Sequence, residues 1–146
     1  MSLLSGEDIF RVVESMSANN SCDDSQIDAV QRDLGVVFPP VFRRIHRAAG
    51  RAFPANSHLF PLRTLVKQRA EWLECAAETP NPVRIPKAAV FFDETPECQA
   101  YFFVSDGCDD PEVFAYNYYL DRTEPDRQDM RLSVFLAMRL RESLNV

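Results

Sequence analysis

The apolar period of this chain changes at Pro80 and Pro82, and that change restricts the architectures open to it. Before these prolines, apolar residues recur at helical spacing: Ile9, Val12, Val13 and Met16; then Ile27, Val30 and Leu34; then Val41, Phe42, Ile45 and Ala49; then Leu65, Val66, Trp72 and Leu73. After them come strand-length aromatic and β-branched runs. These are Ala88 to Phe92, Ala100 to Val104 and Val113 to Leu120. Leu132, Phe135, Leu136 and Leu140 then return to the helical period. Helices, then strands, then a helix define an α+β chain. The links from Asp93 to Gln99 and from Ser105 to Pro111 are too short for helical crossovers, so the strands pair antiparallel.

Local punctuation agrees with these elements. Ser5 followed by Asp8 marks a helix start, and the polar stretch Asn19 to Ser25 is a loop that ends in cap residues. Gly35 stands where a helix terminates. Pro39 and Pro40 forbid helix before them and suit the first turn of a new one, which stops at Gly50. Both glycines are expected in backbone conformations closed to other residues. The third helix is expected to bury its apolar side and expose Arg43, Arg44 and Arg47.

With 146 residues the chain suits one domain, spanning 1–146. No run approaches the roughly 18 apolar residues of a membrane span. The start carries Glu7 and Asp8 and lacks a basic region, so no secretory signal is read there. Cys22, Cys75, Cys98 and Cys108 are widely spaced and form no Cys-x-x-Cys pair. Without a signal, reduced thiols and a cytoplasmic location are expected, although counting alone leaves two disulfides open.

Charge is polarised along the chain. The net charge is −6, which argues against a nucleic-acid binder. Residues 32 to 69 hold eight basic residues against Asp33 alone, a local net charge of +7. Residues 93 to 129 hold eleven acids against Arg122 and Arg127, a local net charge of −9.

Nothing in the sequence assembles a catalytic constellation. His46 and His58 are the only histidines, and neither has an evident companion. There is no nucleophile elbow, phosphate-binding glycine loop or metal-binding histidine spacing. A cysteine with a distant histidine stays open, because such pairs meet only in space. The run Asp106-Gly107-Cys108-Asp109-Asp110 lacks the ligand spacing of a calcium loop, and Pro111 breaks it. The chain is therefore expected to be no enzyme and to need no metal or cofactor.

Five ordered segments resemble the SUKH superfamily, the Smi/Knr-type domain. They are Leu34-Gly35 with Pro39 and the stop at Gly50; Phe60-Pro61-Leu62; Ile85-Pro86 to Phe92; Asp110-Pro111-Glu112-Val113-Phe114; and Ser133-Val134-Phe135-Leu136. They cover about residues 27 to 140. Two positions depart from the family pattern: Ala49 stands where Asn is usual, and Asp93-Glu94-Thr95-Pro96 replaces a glycine-rich turn. The resemblance implies a mainly antiparallel sheet of about four to six strands packed with helices, and no catalytic centre. It also implies a protein-binding role. In bacteria that is an immunity protein that neutralises a cognate toxin, often a nuclease domain; the alternative is an intracellular scaffold or regulator of the Smi/Knr type with no toxin partner.

The acidic half supplies the expected partner-binding residues. Asp93, Glu94 and Glu97 fall on one inferred hairpin loop, and Asp106, Asp109, Asp110 and Glu112 on another. A basic toxin surface would meet such a patch with faster encounter. In a meander the two loops lie at opposite ends, so two patches are expected. The competing reading is that these loops are merely solvated. The arginines either pair with acids inside the monomer or draw two copies together as a homodimer.

Overall fold

A computed structural model describes residues 4–16, 19–54, 56–80, 82–119 and 123–144. Four strands form one antiparallel meander in the order β1-β2-β3-β4: β1 (Ala89–Thr95), β2 (Gln99–Val104), β3 (Glu112–Asn117) and β4 (Asp126–Arg131). Four helices precede it, namely α1 (Gly6–Met16), α2 (Asp24–Leu34), α3 (Pro40–Ala49) and α4 (Leu65–Glu78), with a 3₁₀ turn at Leu62–Thr64, and α5 (Leu132–Leu144) closes the fold. The α+β class and the antiparallel sheet are as the periodicity implied.

The helix ends are built from their own sequence. Ser5 and Asp8 exchange side-chain-to-backbone bonds at the start of α1. Asp23 and Gln26 do the same at α2, a complete capping box. Gly35 ends α2 at φ +68°, left-handed as expected. Gly50 does not follow suit, since its φ is −65°. It is needed for space: a Cβ there would sit 2.6 Å from both the carbonyl oxygen and the Nδ1 of His46.

Aromatic rings pack both faces of the sheet. On one face Phe91, Phe102 and Phe114 lie side by side on β1, β2 and β3, and Trp72 of α4 stacks on Phe91 at 6.5 Å. On the other, Phe92 and Phe103 receive Phe42 from α3 and Phe135 from α5. Each fully buried ring contributes about 1.5–3 kcal/mol of transfer free energy. Arg69 of α4 donates to the carbonyls of Lys87 and Ala89 and so fixes where β1 begins.

Several expectations are corrected. The resemblance implies about four to six strands, but β4 was not located in the residues: its sequence, Asp-Arg-Gln-Asp-Met-Arg, has one apolar residue. It is an edge strand, where charge discourages pairing with other chains. The first hairpin loop is shorter than read, because β1 runs through Thr95 and only Pro96 to Cys98 turn. β3 stops at Asn117, and Leu120 lies outside the described residues. Val66 is exposed, not part of the core.

Candidate functional site

The expected Arg-rich face of α3 is already occupied. Arg43 pairs with Asp24 and Asp28 at 3.1 and 2.9 Å. Arg44 bonds Glu7 with both terminal nitrogens, at 2.7 and 2.8 Å, and Glu14 at 2.8 Å. Arg47 reaches Asp24 at 2.7 Å. The monomer thus satisfies this face with acids of α1 and α2, and not with the acidic segment 93–129. Arg44 thus ties α3 to α1, and Arg43 and Arg47 tie it to α2.

The expected acidic residues separate into three groups. Asp93 is withdrawn from the surface altogether, with 0% exposure. A bulge between Phe91 and Asp93 turns its side chain toward α5, where Oδ2 accepts from Arg139 Nε at 3.1 Å. Arg139 in turn lies 5.0 Å over the Phe135 ring and 5.3 Å over Tyr101. Burial pushes the Asp93 carboxyl up to about 7, with Arg139 opposing and Glu94 and Glu142 adding to the rise. Asp93 is therefore a structural residue and is removed from the expected docking set.

Asp110 and Glu112 form the second group. Asp110 accepts from the Ser133 N–H and hydroxyl at the start of α5. Glu112 takes two bonds from Arg127 across the β3–β4 pair, at 2.7 and 3.1 Å. Both carboxylates are engaged by the fold. The third group is Asp106, whose side chain accepts from the Cys108 N–H, and Asp109, both exposed on the β2–β3 loop, with exposed Glu97 on the β1–β2 turn and half-buried Glu94 on β1 at the opposite end. The two-patch expectation follows from the meander, which puts successive hairpin turns at opposite ends.

The end that carries Glu94 and Glu97 has a further feature. Tyr118 and Tyr119 follow β3 and are 45% and 73% exposed. Their rings meet edge to face at 5.4 Å. The Tyr118 N–H donates to the Cys98 carbonyl at 3.1 Å, which locks the Tyr turn onto the Pro96–Cys98 turn. Asn117 Oδ1 accepts from the Tyr119 N–H at 2.9 Å, and Asn117 Nδ2 donates to Gln99 at 3.3 Å. Cys98 makes the junction with φ +60°, a strained setting for a residue with a side chain. Glu94 and Glu97 find no ion-pair partner among the described residues, and Glu124 meets Arg84 at 3.5 Å, both exposed. Asp121 and Arg122 lie outside the described residues.

The result is two exposed tyrosines on a fixed backbone, on a turn bonded to the one that carries Glu97. Tyrosine supplies large contact area at small entropic loss, and is enriched where binding energy concentrates. The sequence reading assigned these tyrosines to a strand and so missed them. The available signal was the pair of consecutive Tyr, which a strand would put on opposite faces.

His46 is walled in by Phe42 and Phe53, with ring centroids at 4.5 and 5.2 Å. Burial drives its pKa down to about 3, which keeps it neutral. All four cysteines are free. Among the described residues no three His, Cys, Asp or Glu side chains gather to hold a metal ion. No helix there is long and apolar enough to cross a membrane. Comparison with protein-family models finds no match, and no curated protein matches the chain.

Proposed function

We propose that this chain is a cytoplasmic, non-catalytic protein-binding domain of the immunity type, which neutralises a cognate bacterial toxin by docking it on the tyrosine end of the sheet. The observation that carries the reading is the bond that sets the exposed Tyr118–Tyr119 turn against the Pro96–Cys98 turn, where Glu97 has no ion-pair partner among the described residues. A nuclease domain is the fitting partner class, because it must present a basic surface to its own substrate. An acidic rim steers such a surface inward, and the tyrosines supply the desolvated anchor. The ordered SUKH-like segments support the same reading. So does the engagement of Arg43, Arg44 and Arg47 within the monomer, which leaves α3 without a free basic stripe for phosphates.

The direct experiment is to look for a toxin domain encoded beside this gene and to co-express the two proteins. Protection of growth is expected. Continued growth arrest with both proteins soluble overturns the immunity reading and leaves the Smi/Knr-type scaffold in its place.

A further inference from the structure

A cleft of about 540 Å³ opens where α2, the end of α3 and the 3₁₀ turn meet, far in sequence from the tyrosines. That volume lies in the range of small-molecule sites, roughly 300–1,000 Å³. Ala29, Val30 and Leu62 supply apolar walls, and Gly50 lets the backbone line the cleft without a side chain. Two guanidinium groups, Arg51 and Arg63, stand at the same cleft.

These two arginines differ from the others in the helical layer. Arg43, Arg44 and Arg47 each have carboxylate partners. Among the described residues, Arg51 and Arg63 have none. Arg63 Nη1 donates to the Arg51 carbonyl at 2.7 Å, which pins its guanidinium and leaves its other N–H groups unused. The neighbouring acid, Asp23, accepts capping bonds from Gln26 and Ser25, which keep it ionised, and it makes no ion pair with either arginine among the described residues. The Cys22 thiol lines the same cleft; burial raises its pKa, Arg51 and Arg63 oppose the rise, and Asp23 adds to it. Both arginines line one cleft, and Arg63 is held against the Arg51 backbone there.

We propose that this cleft binds a small organic carboxylate, its anionic head between Arg51 and Arg63 and its apolar body against Ala29, Val30 and Leu62. Paired guanidinium groups suit a planar carboxylate, and the walls gain by covering exposed methyl groups. This site is independent of toxin docking and survives if that reading fails.

The test is an amide NMR titration of the intact protein with octanoate, run in parallel with octanol. Octanoate should give saturable shifts centred on Val30, Gly50 and Arg51, and octanol should bind at least about tenfold more weakly, as lost charge-assisted bonds require. Arg51→Gln should weaken octanoate by a similar factor; this guanidinium makes no bond within the described chain, so the fold is not at stake. Ala29→Leu should block binding by filling the cleft. Absence of saturable shifts overturns the site. Equal response to octanol, or undiminished binding to Arg51→Gln, overturns its anion preference.

Discussion

Asp110 holds Ser133 with both carboxylate oxygens: Oδ1 accepts from the backbone N–H at 2.9 Å and Oδ2 from the hydroxyl at 2.6 Å. The Leu132 N–H donates to the Pro111 carbonyl at 2.8 Å beside them. The loop before β3 thereby caps the first turn of α5, which satisfies donors that a helix start otherwise leaves open. Asp110→Ala should cost about 1–2 kcal/mol in urea unfolding, and Ser133→Ala a similar amount. The double variant should cost clearly less than the sum, because each single change already breaks the clasp. Full additivity would show that the two residues act apart.

His46 and Asp93 should impose opposite pH slopes on stability. An unfolded His titrates near 6.5, but buried His46 resists its proton down to about 3. Its contribution is present above 6.5 and is lost as pH falls toward 3. An unfolded Asp titrates near 3.9, while folded Asp93 holds its proton up to about 7. Its contribution is present at low pH and is lost as pH rises toward 7. Between about pH 4 and 6.5 the two offset one another. His46→Leu should therefore lose stability with rising pH over that window, and Asp93→Asn should gain it. Chemical denaturation at several pH values reads both slopes directly.

Arg139 is the sole cation on the buried Asp93 carboxylate among the described residues. Arg139→Met removes that partner and also the stacking over Phe135 and Tyr101. The loss should be largest at pH 8, where the parent carboxyl is ionised against Arg139 and the variant must either bury that charge alone or keep it protonated. At pH 5 a protonated Asp93 needs no cation, so the loss should shrink. An equal loss at both pH values would assign the role of Arg139 to packing alone.

The Tyr116 hydroxyl is buried with no hydrogen-bond partner among the described residues, and burial lifts its pKa to about 12. The ring itself packs edge-on against Trp72 at 5.9 Å. Tyr116→Phe keeps the ring and removes the orphaned oxygen. The variant should be as stable as the parent or about 1 kcal/mol more stable, measured by thermal unfolding. A loss beyond that would mean the hydroxyl has a partner such as a buried water.

What could be read from the sequence was whatever periodicity or capping chemistry encodes locally. The helices, three of the strands and the cap at Gly35 follow from residues close in the chain. β4 did not, since a solvated edge strand of alternating charge carries no apolar signal. The acidic set was found by charge alone, and charge does not say which carboxylates the fold consumes. Asp93, Asp110 and Glu112 went to Arg139, Ser133 and Arg127, partners that lie 46, 23 and 15 residues away. Glu97, Asp106 and Asp109 were left for solvent, and Glu94 is half-buried on β1. The tyrosine pair was hidden for the same reason, because its exposure depends on where β3 ends and which turn faces it.

The most direct test of the docking account is the affinity of the neighbouring gene's toxin domain for the parent chain and for the Tyr118→Ala/Tyr119→Ala variant, measured by calorimetry. Both side chains are exposed, so the variant should fold as the parent does. The account predicts a loss of at least about 100-fold, the weight of two anchor residues. Undiminished affinity in the folded variant would contradict it and place the interface elsewhere.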